Sequence, residues 1–237
     1  MDSQTVFEKR FALILARFRR LRQRNPGLRP FGIEWWGDPK AGKTTMKDQI
    51  TRFLKRNDWN ATARPEGAEV VDRISRDTPH YNLETLRYAL REISERQDSR
   101  FDLVMLDRGP MDHLVWLEYW LDKAKLAEGE YRAHRAVPLA ENIREMFDLH
   151  VLMVCEPDVS IQREVAHALT KKDGDTMNPK TLGKLHGFHM KLWKELGEGS
   201  DPRVTLHDSS KETMVQTAES VLSKIADAFE RRLETIR

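Results

Sequence analysis

Residues 37–45 read Gly-Asp-Pro-Lys-Ala-Gly-Lys-Thr-Thr, directly after the apolar run Phe31-Gly32-Ile33-Glu34-Trp35-Trp36 and directly before the amphipathic segment Met46–Arg56. A G-x-x-x-x-G-K-T loop between a strand and a helix constrains the fold more than any other feature of the chain. Glycines at both ends let the backbone curl so that several N–H groups point inward at phosphate oxygens. Lys43 then reaches the outer phosphates, and Thr44 offers a hydroxyl to Mg²⁺ at a helix N-terminus whose dipole favours the anion. Pro39 has no N–H to give, so the cradle is expected from Lys40, Ala41, Gly42, Lys43 and Thr44. Gly37, Asp38, Pro39 and Thr45 complete the expected nucleotide contacts. The loop predicts a triphosphate site.

The bulk composition excludes several classes. A chain of 237 residues is long enough to bury a substantial core, and 33% charged residues with a net charge of +2 describe an ordinary surface with no global pull toward nucleic acid. The single cysteine, Cys155, excludes an intrachain disulfide framework. It ends the run Val151-Leu-Met-Val-Cys155 and reads as a buried strand position. No apolar run is long enough to span a bilayer, and the N-terminal order of residues is not that of a secretory signal. A cytoplasmic enzyme is expected, with homodimer formation left open.

Strand-like and helix-like segments alternate, the pattern of a parallel sheet covered on both faces. Strands are expected at 31–36, 60–64, 101–106, 149–155 and 203–207. Helices are expected at 43–56, 83–96, 111–127, 159–170, 182–196 and 211–232. The stretch 122–148 is charged and reads as a helical insertion on the outside. Ahead of the sheet, Phe7, Phe11, Ile14, Phe18 and Leu21 form one helical stripe, with Arg17, Arg19, Arg20, Arg22 and Arg24 crowded nearby. Asn25-Pro26-Gly27 ends that helix. The domain reading is therefore an N-terminal basic helix over 1–28 and a main domain over 29–237. The helix either docks on its own domain or serves as an arm for a partner helix, an anionic surface or nucleic acid.

The segment Phe101-Asp-Leu-Val-Met-Leu-Asp107-Arg108 is a hydrophobic strand ending in a carboxylate. Placed one crossover after the phosphate loop, Asp107 is expected to share the Mg²⁺ shell with Thr44, and Arg108 to point into the same cleft. After the fourth strand, a helix carrying Arg163 leads to Lys171-Lys172-Asp173-Gly174-Asp175. That arrangement suits a lid over about 158–180, closing on the phosphates and supplying cations.

In this order the pieces resemble the P-loop kinases of nucleosides and nucleotides, nearest to thymidylate kinases and next to deoxynucleoside kinases. The resemblance runs from about residue 31 onward. It is carried by Gly37–Thr45, Arg64-Pro65-Glu66-Gly67, Leu86-Arg87-Tyr88, Asp107-Arg108, Arg163 and Val204-Thr-Leu-His-Asp208-Ser209-Ser210. It implies a P-loop NTPase fold with a five-stranded parallel sheet, helices on both faces and a lid helix, to which the extra N-terminal helix is added. It implies ATP- and Mg²⁺-dependent phosphoryl transfer to a nucleoside, nucleotide or similar small acceptor. Lys43 would bridge the β- and γ-phosphates. Lys40, Arg108 and Arg163 would stabilise transferring charge or grip the acceptor. Glu66 would be the general base for a hydroxyl acceptor, and Asp208 and Ser209 would border the adenine. The chain departs from the thymidylate kinase pattern by exchanging proline and glutamate at 65–66, and by Gly109-Pro110-Met111-Asp112 after Asp107-Arg108.

Two other functions fit parts of the chain. A GTPase needs a guanine-reading N/T-K-x-D directly after a strand, whereas Thr170-Lys-Lys-Asp173 stands a full helix away from the strand ending at Cys155. A P-loop ATPase of a toxin, repair or defence system would use the basic helix to hold a partner macromolecule. His186 and His189 share a helical face but have no completing ligand at familiar spacing, so they read as surface or packing residues. Trp116 and Trp120, one helical turn apart, read as core residues with a possible place in the acceptor wall.

Overall fold

The apolar runs form five parallel strands, β1 (Phe31–Gly37), β2 (Ala61–Arg64), β3 (Leu103–Asp107), β4 (Leu149–Val154) and β5 (Val204–Asp208), in the spatial order β2-β3-β1-β4-β5. The structure is a computed structural model that describes residues 3–24, 29–95, 101–166 and 176–235. Helices α1 (Ser3–Gln23), α2 (Lys43–Lys55), α3 (Gly67–Val70), α4 (Pro79–Glu95) and α5 (Pro110–Asp122) occupy the first half. Helices α6 (Glu128–Leu139), α7 (Glu141–Arg144), α8 (Pro157–Val165), α9 (Pro179–Glu195) and α10 (Met214–Thr235) complete the described chain. This is the P-loop arrangement expected from the sequence.

Strands β1, β3 and β4 are buried along their whole length, which is why they read as unbroken apolar runs rather than alternating ones. The period of two divides their side chains between layers. Phe31, Ile33, Trp35, Met105 and Val151 face one cluster with α2 and α10, while Trp36 and Leu152 face another with α5 and α9. Strand β1 pairs with β3 on one side and β4 on the other. Ligands in open α/β sheets bind beyond the C-terminal strand ends at such a reversal of direction. The loops after β1 and β3 open there together.

Helix α1 lies against the main domain. Phe18 and Leu21 are buried, Phe18 meets the Trp59 ring edge-on at 5.4 Å, and Phe11 meets Phe53 at 5.5 Å. Arg17 reaches Asp227 and Glu230 of α10, each at 2.6 Å. The apolar stripe is thus covered by the chain's own core from Phe11 onward, leaving Arg19, Arg20 and Arg24 exposed. The side chain of Phe7 and the Asn25-Pro26-Gly27 stop lie outside the described residues, as do Thr170, Lys171, Lys172 and Asp173.

Element boundaries differ from expectation where caps intervene. Helix α10 starts at Met214 rather than Lys211, because Thr213 and Gln216 form reciprocal side chain–backbone hydrogen bonds of 2.9 and 3.4 Å. Helix α5 starts at Pro110, a favoured first helical position. It stops at Asp122, ahead of Ala124 in the left-handed region at φ +54°. The 122–148 stretch contains α6 and α7, joined through an extended Ala140. No described helix is long and apolar enough to cross a membrane.

Gly37 closes β1 at φ +127°, with its Cα face pressed on the Met153 carbonyl of β4. A β-carbon there meets both a strained backbone and a backbone atom that cannot yield. Gly37→Ala is expected to lower unfolding stability by at least about 3 kcal/mol in urea titration. A variant as stable as the parent would show that the loop can leave β4 freely.

Candidate active site

The phosphate loop leaves β1 at Asp38, whose N–H donates to the Met153 carbonyl at 2.9 Å. Lys40 takes the left-handed region at φ 59° and Gly42 does so at φ 95°, just before α2 begins at Lys43. Lys43 is buried and donates to the Gly37 and Asp38 carbonyls at 2.8 and 2.6 Å. Burial, reinforced by the nearby Arg108, pushes its ammonium down to about 8. Thr44 and Thr45 are exposed at the helix start, and the Ala41 carbonyl accepts from the Ser209 hydroxyl at 2.8 Å.

Across the loop, the Thr44 hydroxyl donates to Asp107 Oδ2 at 2.7 Å, and Lys47 Nζ lies 3.1 Å from the same oxygen. Asp107 Oδ1 is buried and has no hydrogen-bond partner among the described residues. Arg108, at φ 63°, is clamped between two carboxylates. Its Nε lies 2.6 Å from Glu66 Oε1, and its Nη1 donates to both Asp112 oxygens at 2.8 Å. Burial alone would favour the neutral guanidine, but Asp112 and Glu66 outweigh it and fix the positive charge. Burial likewise pushes the Asp112 carboxyl up, while Arg108 foremost holds it well below the usual range.

Glu66, Arg108, Pro39 and Lys40 open onto one cavity of about 830 Å³, which Trp116 and Trp120 also line. This size and mix of aromatic and polar lining suits a small organic ligand. Trp116 Nε1 donates to Asp112 at 3.0 Å. The Tyr81 hydroxyl, His113 Nε2 and Trp120 Nε1 are buried polar atoms of the lining residues with no partner among the described residues. Burial pushes His113 down to about 4, so its ring is neutral near pH 7.

Other sequence-predicted residues have more specific placements. Lys40 Nζ pairs with Glu164 at 2.6 Å. Arg163 donates to the Lys40 carbonyl at 3.0 Å and to the Ser209 carbonyl at 2.7 Å, outside the cavity lining. Ser209 is buried beneath the loop, whereas Asp208 is exposed and accepts from Ser210 N at 2.9 Å.

The α9 histidines are not the surface or packing residues expected. His186 Nδ1 lies 2.7 Å from Asp38 Oδ2, and His189 Nδ1 lies 2.8 Å from Asp38 Oδ1. The three-residue histidine spacing does not reveal this pairing, because Asp38 stands 148 positions from His186 in the chain. An acid inside a phosphate loop was the available signal, since it requires a buried counter-charge.

No protein-family model matches the chain, and no curated protein matches it. Solved structures do match in fold. The deoxyadenosine kinase from M. mycoides with bound dCTP shares 13% identity at a TM-score of 0.58, covering 83% of this chain and 100% of its own. The same enzyme with bound dATP shares 14% identity at a TM-score of 0.55, covering 82% and 99%. Its structure with the products dCMP and a flexible dCDP shares 13% identity at a TM-score of 0.60, covering 83% and 99%. The chain therefore has the fold of a P-loop deoxynucleoside kinase.

The state of Lys43 has a stability consequence. Its folded value of about 8 lies below the ordinary 10.5. Below pH 8 it is charged in both states and the burial cost is carried in full. Between pH 8 and 10.5 the folded form holds fewer protons than the unfolded one, so stability rises with pH. Urea unfolding across this range is expected to show that rise in the parent and lose it in Lys43→Met. A parallel pH dependence in the two proteins would refute the assignment.

Proposed function

We propose that the protein transfers the γ-phosphoryl group of ATP to a hydroxyl of a nucleoside or nucleoside-like acceptor. The observation that carries this reading is the Glu66–Arg108 contact of 2.6 Å on the wall of a cavity that begins at the phosphate loop. A carboxylate at that position can accept the proton of an attacking hydroxyl. Arg108 is already engaged by Glu66 and Asp112. A phosphate acceptor calls for an unspent cation, so the geometry favours a hydroxyl. The fold likeness to deoxyadenosine kinase supports the same choice, ahead of the thymidylate kinase likeness in the sequence.

The protein's work is positioning and charge neutralisation. Lys43 exchanges the Gly37 and Asp38 carbonyls for β- and γ-phosphate oxygens. Thr44 and Asp107 supply hard oxygen donors, and the buried Oδ1 of Asp107 without a protein partner suits a cation. These two residues would hold Mg²⁺, which would supply neutralisation of the phosphate charge. Glu66 takes the acceptor proton, Arg108 fixes Glu66, and Asp208 and Ser209 border the base of the donor. Tyr81, His113 and Trp120 offer the acceptor three unspent polar groups. An ATPase working with a macromolecular partner would leave this cavity without an occupant.

Glu66→Gln keeps the shape of the clamp but removes the base. Acceptor-dependent ADP release, screened over nucleosides, nucleotides and unrelated metabolites, is expected in the parent and falls about 10²–10⁴-fold in the variant. ATP affinity by titration calorimetry is expected to stay within about threefold. Equal loss of both quantities, or of neither, would remove the case for a hydroxyl-directed kinase.

A further inference from the structure

Asp38 is an anomaly within an anion-binding loop. Only 2% of the residue is exposed, and an ionised carboxylate so close to bound phosphates opposes them. Each of its oxygens faces an imidazole from α9. His186 Nδ1 is 2.7 Å from Oδ2, and His189 Nδ1 is 2.8 Å from Oδ1. The Cys155 N–H adds a third contact, to Oδ2 at 3.2 Å. Neither ring nitrogen of His189 is aligned for a directed hydrogen bond, so its contact with Asp38 is a close approach that becomes an ion pair when the ring is protonated. On its far side, His189 Nε2 lies 3.9 Å from Asp112 Oδ1. Carboxylates thus flank the ring at both nitrogens.

Resting on the reading of residues 37–45 as the ATP site, we propose that His186 and His189 are positioning residues that form a protonable counter-charge for the phosphate loop, so that ATP binds with uptake of protons. Their charge cancels Asp38 when triphosphate arrives; without it, Asp38 repels the donor. The surroundings support this state. Burial pushes His189 down, but Asp112 and Asp38 outweigh that and hold it above the ordinary imidazole value. The hydrogen bond to Asp38 raises His186 against a smaller effect of burial, with Asp208 adding to the rise. Burial pushes the Asp38 carboxyl up, and the two imidazoles outweigh it, leaving an anion. The other charged groups facing this cluster are Lys43 in the loop, Arg108 on the far side of Asp112, and Asp208 beside His186. Trp36 of β1 packs on the His189 ring at 5.9 Å, closing that side to water.

Bound phosphate adds negative charge and raises both imidazole pKa values further. The sign follows from linkage: affinity is greatest where the histidines are charged and falls as pH rises through their values in the complex. The test is ATP binding without acceptor by titration calorimetry between about pH 6 and pH 9, in two buffers of different ionisation enthalpy. The full chain is compared with His189→Gln, Asp38→Asn and the double variant. The parent is expected to take up protons and to lose about tenfold in affinity across that range beyond any loss in the double variant. His189→Gln is expected to weaken binding at low pH, and Asp38→Asn added to it to restore affinity. If His189→Gln does not fold, His186→Gln at the more exposed ring carries the same comparison. Binding without proton uptake, or a double variant no tighter than the single, overturns the inference while leaving the kinase reading intact. Absence of ATP binding by the parent at every pH overturns both.

Discussion

Glu34 lies mid-strand in β1 with no exposed surface, and the turn from β3 into α5 is built around its carboxyl group. Oε1 accepts from Met111 N at 2.8 Å and Asp112 N at 3.3 Å, while Oε2 meets His150 Nδ1 at 2.8 Å. An acidic group in a sheet interior is costly unless its hydrogen bonds are met. Here the free N–H groups and positive dipole end of α5 meet them. The start of α5 is thereby tied to the centre of the sheet, and only Arg108 and Gly109 remain to turn the chain out of β3. Arg108 adopts its left-handed backbone in that short turn. Gly109 passes so close that a β-carbon would stand 3.0 Å from the Glu34 carboxyl. The Arg108–Asp112 pair, one helical turn apart, follows from this geometry.

What could be read from the chain alone divides along the range of the interactions. The G-x-x-x-x-G-K-T turn between β1 and α2, the carboxylate closing β3 and the five strand segments are local patterns, and each was legible, whereas the spatial order β2-β3-β1-β4-β5 is set by packing between distant segments. Helix α1 was legible as an amphipathic helix, but whether its stripe was covered depended on Phe53, Trp59 and the acids of α10. Glu34 stands within the apolar run of β1 with no local partner in sequence. Its role depends on a helix starting 76 residues later, at Pro110. Lys47 carries no sequence signal of its own, yet it is buried against Asp107 and the Arg64 carbonyl. His186 and His189 are about 150 positions from Asp38 in sequence. No local spacing could have joined them.

These charges form a connected set. Glu66, Arg108, Asp112, His189 and Asp38 follow one another through the protein, alternating in sign when His189 is protonated, and Lys43 stands beside them on the Asp38 carbonyl. Buried pairs of this kind return little net stability, because desolvation consumes most of the attraction. Their value lies in fixing positions, and truncating one member leaves its neighbour charged and unpaired. Effects of substitutions within the set will therefore not add, since each change alters the electrostatics felt by the rest.

The shape of the phosphate loop is also held from outside its own sequence. Lys40 is not glycine, yet it sits at φ 59°, a backbone region that costs a side-chain-bearing residue about 1 kcal/mol or more. Two consecutive residues of α8 hold it there: Arg163 binds its carbonyl and Glu164 its ammonium. Arg163 also binds the Ser209 carbonyl, and the Ser209 hydroxyl in turn binds the Ala41 carbonyl. A ring of contacts thus runs from the loop through α8 to the β5–α10 turn and back. Its consequence is mechanical. The conformation of residues 37–43 is shared between the glycines of the loop and the placement of α8, so a displacement of α8 would release Lys40 and reshape the loop.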